Sequence, residues 1–358
     1  MDQSKRRGGL GVLLAALCIA ASGPAHRAVA GEVTLADDAY HYAQWADGQH
    51  DATYTEWWYF NLRDVRSGLH AILSYFVLDP GNVSGIGQAQ MVSVAYAREG
   101  TVIALDLYPV TAFSASADRA DVTIEGSTVR VVDDETYRVS GGSRDGRLSW
   151  DLEFVRQAGP WLAGDRIGVG ALDWERMSWL LYMPRARVSG RMVVDGRVYD
   201  VSGPGYHDHN WGEWIPTDAL WNWAQYADAR VRFDMGVFIG REAGVVGVEV
   251  DGVRHVFEPG QYELMHTRWA RDSENGVPYP VLSRLTAQSD EARLEVTLAA
   301  TDTAALRGDL PPPLRDLIIY EQTARIDGVL SARNAQGAWA PVVRFHGPGF
   351  KEYTAKHR

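Results

Sequence analysis

The chain has a single cysteine in 358 residues, Cys18, so no disulfide can form within it and its stability must come from the size of its core. Long apolar runs are also missing. The longest, Leu10–Ala21, is too short to cross a bilayer as a permanent helix. There is no phosphate-binding glycine loop and no dinucleotide fingerprint; Gly85-Ile86-Gly87 lacks the strand-to-helix setting such loops need. No serine–histidine–acid order can be picked out. Basic charge is in deficit, with 35 Lys and Arg against 46 Asp and Glu, a net of −11. That balance speaks against nucleic acid and anionic lipid as partners, although peripheral contact of an apolar face with a membrane stays compatible with it. Sustained 3.6-residue periodicity is absent too, and only residues 301–308 suggest a short helix.

The N-terminus explains where the cysteine lies. Residues 1–30 have a basic start (Lys5, Arg6, Arg7), the apolar run, and a final Ala28-Val29-Ala30. This is the three-part pattern of a cleavable signal peptide, with cleavage expected before Gly31. Arg6-Arg7 is a loose match to the twin-arginine signal. Cys18 follows Leu17 rather than a small residue, which argues against a lipid anchor. The expectation is an exported protein, periplasmic or secreted. Loss of four basic residues with one acid leaves the remainder more acidic still.

Aromatic residues are abundant, with 13 Trp and 16 Tyr. Rings supply apolar area of fixed shape, so this excess suits either a tryptophan-rich β core or a cavity for an apolar ligand. Past residue 31 the runs read as strands: 53–64, 69–78, 89–97, 101–110, 148–156, 186–194 and 197–203 in the first half. In the second half they are 230–240, 245–250, 253–260, 292–300 and 317–328. Asp-Gly pairs at 145–146, 195–196 and 251–252 are hairpin turns between them. Roughly sixteen to eighteen strands exceed one small barrel. The fold predicted is all-β, with two consecutive antiparallel barrels over residues 31–204 and 205–358.

The densest chemistry is GPGYHDHNWGEW, residues 203–214. Gly203 and Gly205 suggest a tight turn before it. If extended, it places His207, His209 and Trp211 on one face and Tyr206, Asp208 and Asn210 on the other. A His-x-His pair with Glu213 four residues on suggests a metal site, but the flanking glycines do not match known patterns, and His255 and His266 are isolated. A structural polar network at a junction between barrels is a second reading. In the third, Asp208 or His209 is an acid–base group among rings, where a carboxyl loses the solvation of its charged form and keeps its proton. Trp211, Trp223 and Tyr226 then stabilise a carbocation with their ring faces. Trp221 and Trp223 share one strand face with Gln225, while Tyr226 and Asp228 share the other; Tyr226-x-Asp228 is a second candidate acid oriented by a phenol. In TEWWYF, residues 55–60, Glu56, Trp58 and Phe60 point one way, Trp57 and Tyr59 the other.

EWWYF, SGRMVVDGRVYDVSGPGYHDHNWG (189–212) and YEQTARIDG (320–328) together resemble the carotenoid 1,2-hydratase (hydroxyneurosporene synthase) superfamily, with its fungal lipocalin-like cyclases and distant AttH-like exported kin. The resemblance spans most of the chain past residue 31. It implies two lipocalin-like barrels, a hydrophobic pocket near their junction, no cofactor, no metal, and chemistry on polyenes or isoprenoids. By matching motif it carries Glu56, Trp57, His207, Asp208, His209, Asn210 and Trp211 as pocket or junction residues.

Two functions follow as expectations. One is a hydratase or cyclase of a hydrophobic polyene or terpenoid, with Asp208 or Asp228 as acid, Tyr226 and His209 assisting, and Glu56, Trp57, Trp58, His207, Asn210, Trp211, Trp221 and Trp223 around the substrate. The other is an exported carrier that binds a hydrophobic small molecule and leaves it unchanged.

Overall fold

The computed structural model describes residues 32–307 and 315–357. The expected signal peptide lies outside the described residues. Among the described residues, twenty-one antiparallel strands form two sheets. The first comprises β1 (Tyr54–Asp64), β2 (Leu69–Leu78), β3 (Gln88–Ala97), β4 (Gly100–Pro109), β5 (Phe113–Ala115), β6 (Val122–Ile124), β7 (Ser127–Val131), β8 (Thr136–Gly142), β9 (Leu148–Arg156), β10 (Trp161–Gly168), β11 (Arg176–Val194) and β12 (Arg197–Glu213). The second comprises β13 (Trp221–Ala227), β14 (Val231–Phe238), β15 (Gly244–Val250), β16 (Val253–Phe257), β17 (Tyr262–Arg271), β18 (Pro278–Gln288), β19 (Ala292–Leu306), β20 (Leu317–Arg333) and β21 (Trp339–Lys356).

The first sheet runs β4-β3-β2-β1-β12-β11-β9-β8-β7-β6-β5, with β10 on β11, and forms a nearly closed barrel. The second runs β16-β15-β14-β13-β21-β20-β19-β18-β17 and curls as a half-barrel. The all-β, two-barrel architecture is therefore as the patterning implies. Asp195-Gly196 and Asp251-Gly252 both hold positive φ at the two central positions, the turn whose twist suits a two-residue hairpin.

Three local expectations change. Residues 301–306 continue β19 as strand instead of forming a helix; Ala304 and Leu306 join the apolar cluster between the sheets, so burial outweighs helix propensity. Gly203 and Gly205 make no turn: both lie inside β12. A β-carbon at Gly203 would stand 2.0 Å from the Arg63 carbonyl, and one at Gly205 would stand 2.3 Å from Val188, so these glycines allow close approach of strands. The position expected to divide the domains, 204/205, also falls inside β12, which pairs with β1 as far as Glu213; the chain changes sheet over residues 214–220.

Three apolar clusters matter for the site. One fills the first barrel, one fills the second sheet's concave face, and a third lies between the sheets. Glycines on the second sheet make room for tryptophans of the first: a β-carbon at Gly236 would meet Trp179 at 2.9 Å, and one at Gly247 would meet Trp161 at 2.5 Å. A segment before β1, with 3-10 turns at Leu35–Asp38 and Asp51–Thr53 and one helical turn at Tyr42–Trp45, packs Leu35, Tyr42 and Trp45 against the first core.

Candidate functional site

The strand alternation divides the central motif between two environments. His207, His209 and Trp211 face the first barrel, whereas Tyr206, Asp208 and Asn210 face the second sheet. The same division holds on β1, where Trp58 and Phe60 enter the first core and Trp57 and Tyr59 enter the intersheet layer.

Inside the first barrel lies a closed polar network. Asp38 stands 3.0 Å (Oδ2) from His207 Nε2 and 3.2 Å (Oδ1) from His209 Nδ1, and accepts the Tyr137 hydroxyl at 2.8 Å. His207 donates from Nδ1 to the Tyr59 carbonyl at 2.9 Å. His209 Nε2 lies 2.9 Å from Glu56, which also accepts the His41 backbone N–H at 3.0 Å and the Tyr54 hydroxyl. Rings hold the imidazoles flat: Phe60 stacks on His207 at 4.1 Å, Trp58 on His209 at 4.5 Å, and Trp211 on His41 at 3.9 Å. Burial acts to raise the pKa of Asp38 and Glu56, but the neighbouring imidazoles overcome it, and both carboxyls stay below their ordinary values. Burial acts to lower the pKa of His209, yet Asp38 and Glu56 raise it. An imidazole between two carboxylates is thus enclosed, with aromatic walls. This is the structural polar network among the three readings of the motif.

Between the sheets is a cavity of about 130 Å³. Its walls are Trp57, Tyr59, Trp179, Trp214, Trp221 and Trp223, with Phe76 and Phe238. Three buried carboxyls also line it: Asp208, Glu321 and Glu352. Asp208 accepts the Trp179 indole N–H at 2.9 Å and the Tyr206 hydroxyl at 2.8 Å. Burial pushes its pKa up to about 6 against those stabilising donors. Glu321 and Glu352 pair across β20 and β21; burial first, and then the charge of Glu352, carries Glu321 well above the ordinary carboxyl value. Burial likewise raises Glu352, although Trp221 donates its indole N–H to it. Gln90, Ser74 and Asn210 add uncharged polar groups to the wall.

Of the residues singled out from the sequence, Asp208, Asn210, Trp57, Trp221 and Trp223 line this cavity. Glu56, Trp58, His207, His209 and Trp211 belong to the first-barrel network and do not. Tyr226 sits in the core of the second sheet, donating its hydroxyl to Asp228 at 2.7 Å. Asp228 also accepts the backbone N–H groups of Arg230 and Val231, both at 2.7 Å. Burial opposes ionisation of Asp228, but these donors lower its pKa, so it is a turn-closing anion and a poor acid.

Sequence reasoning missed Asp38, His41, Glu321 and Glu352. A signal existed for the last two. In LIIYEQT, Glu321 shares a strand face with Leu317 and Ile319, and Glu352 shares one with Phe350 in FKEYT. A glutamate on an otherwise apolar face marks a buried acid. Asp38 and His41 lie in an irregular segment without such a pattern.

Among the described residues, two sets bring three possible metal-ligand atoms within 4.8 Å of one another: His41, Glu56 and His209, and Asp47, His50 and Glu213. In the first, Glu56 Oε1 already lies 2.9 Å from His209 Nε2 and 3.3 Å from His41 Nδ1.

Fold and site define a class: a lipocalin-like β protein of two sheets with an aromatic, acid-bearing cavity between them. No family model and no curated protein sequence matches the chain. Solved structures do. A candidate AttH (NE1406) from Nitrosomonas europaea superposes with TM-score 0.66 at 14% identity, covering 89% of this chain and 97% of that one. CghA, in a structure with Sch210972, superposes with TM-score 0.59 at 15% identity, covering 86% of this chain and 90% of that one. At such identity the likeness is one of fold, that of AttH-like and CghA-like proteins.

Proposed function

We propose that the protein binds a hydrophobic polyene or terpenoid in the intersheet cavity and converts it without a cofactor, as a hydratase or a cyclase, after export from the cytoplasm. The observation that carries this reading is the set of three buried carboxyls that meet at one tryptophan-lined cavity, Asp208 from the first sheet and Glu321 and Glu352 from the second. Two carboxyls held side by side cannot both ionise cheaply, so the Glu321–Glu352 pair retains a proton near neutrality. That proton passes to an alkene carbon of the substrate, leaving a carboxylate and a tertiary cation. Indole faces of Trp57, Trp221 and Trp223 offset the cation's charge without acting as nucleophiles. Water addition followed by loss of its proton to the carboxylate gives an alcohol; attack by an internal alkene followed by proton loss gives a ring. Asp208, with its intermediate pKa and two fixed donors, is suited to orienting water or a polar end of the ligand.

The carrier function uses the same cavity, and one experiment separates the two. The purified protein is incubated with a cell lipid extract, and bound and released molecules are compared with the input by mass spectrometry. A gain of one water supports hydration, and an unchanged mass with altered retention supports cyclisation. A bound but unaltered ligand overturns the catalytic reading and leaves a carrier.

A further inference from the structure

Asp47, His50 and Glu213 lie at the end of β12, and none of them lines the cavity. The loop that carries the first two is held in shape by its own carboxylates. Asp51 accepts the backbone N–H groups of Asp47 at 2.8 Å and Gly48 at 2.9 Å. Asp47 Oδ1 accepts those of Gln49 at 2.7 Å and His50 at 2.8 Å. This leaves Asp47 Oδ2 beside the His50 ring, 2.7 Å from Nδ1. The opposite side is fixed too, since the His50 ring stacks on Trp174 with centroids 4.3 Å apart.

Glu213 approaches from the barrel. It is 6% exposed, and its Oε1 is buried with no hydrogen-bond donor. A buried carboxylate oxygen without a donor is costly, and more so when it faces other acids. An imidazole and two carboxylates thus converge where the buried Glu213 Oε1 has no donor.

We propose that Asp47, His50 and Glu213 bind a divalent first-row metal ion, best matched by zinc, which ties the loop over residues 47–53 to the end of β12. Zinc accepts imidazole nitrogen and carboxylate oxygen at about 2.0–2.2 Å and completes its shell with water. The ligand atoms, all within 4.8 Å of one another, need only small side-chain movements to meet one ion. Entry is open, because the His50 and Asp47 side chains are 25% and 39% exposed. The ion gives the bare Glu213 Oε1 a partner and bridges the His50 ring and Asp47 Oδ2. This site is independent of the cavity and of its chemistry.

The test is calorimetric titration of the metal-stripped, purified protein with zinc chloride at pH 7.5, with thermal unfolding followed with and without zinc. One ion per chain is expected, with a rise in melting temperature. Glu213→Gln and His50→Ala should each weaken binding at least about tenfold and abolish the thermal shift. Circular dichroism checks that each variant is folded, and His50→Ala, on an exposed loop, keeps the test valid if Glu213→Gln unfolds. Absence of saturable zinc uptake by the parent protein overturns the proposal. So does a single ion bound with unchanged affinity in a folded variant.

Discussion

Glu321 and Glu352 stand directly opposite each other on β20 and β21, both buried, and both on the cavity wall. Trp221 reaches Glu352 from β13 with its indole N–H. Acids this close in an apolar layer compete for one proton, and the rings that exclude water are those that would meet a substrate.

Glu321→Gln should lower turnover by about 10²-fold or more, the scale of a lost general acid, while circular dichroism shows an intact fold. Glu352→Gln is expected to do the same. Asp228→Asn, at the turn beyond β13, should leave turnover within about twofold, since Asp228 does not line the cavity. Full activity in both glutamine variants would remove the proposed proton source.

Stability should fall as pH rises from about 5 to 8, because the folded state binds more protons than the unfolded chain in that window. Glu321 and Glu352 have folded pKa values above their ordinary 4.5, so their contribution is full below 4.5 and is lost as pH climbs through the raised values. His209, raised above 6.5, acts in the same direction: its contribution is present below 6.5 and disappears above its folded value. Asp38, held below 3.8, works oppositely and costs stability only in strong acid. Melting temperature against pH should therefore peak on the acid side of neutrality, and a maximum above pH 8 would contradict the assignment.

Asp38→Asn should destabilise the protein by roughly 3–5 kcal/mol, the cost of breaking a buried ion pair, as read from urea unfolding. Asp38 touches both His207 and His209 inside the barrel and does not line the cavity. Any ligand bound in the cavity should thus keep its affinity in the folded fraction. Selective loss of binding without loss of stability would return the histidines to the functional site.

Gly203→Ala should cost about 1–3 kcal/mol through overpacking, since the added carbon would press on the Arg63 carbonyl at 2.0 Å. Gly126→Ala, where nothing lies within 4 Å, should be close to neutral. Equal thermal shifts in the two would mean that the glycine of β12 is not there for close approach.

The sequence by itself determined the strands β1 and β2, the first part of β12 up to residue 203, the Asp195-Gly196 and Asp251-Gly252 hairpin turns, and which side chains share a face. Extended chain alternates with a period of two, so Glu56, Trp58 and Phe60 had to separate from Trp57 and Tyr59, and Asp208 from His207 and His209. Alternation names two faces without saying what covers either. The joining of Asp38 to His207 and His209 across about 170 residues, and of Asp208 to Glu321 and Glu352 on the other sheet, was decided only by strand order and sheet curvature. Those long-range pairings place the histidines in a sealed ion network and the carboxyls on a cavity, because each face takes the environment of whatever sheet closes over it.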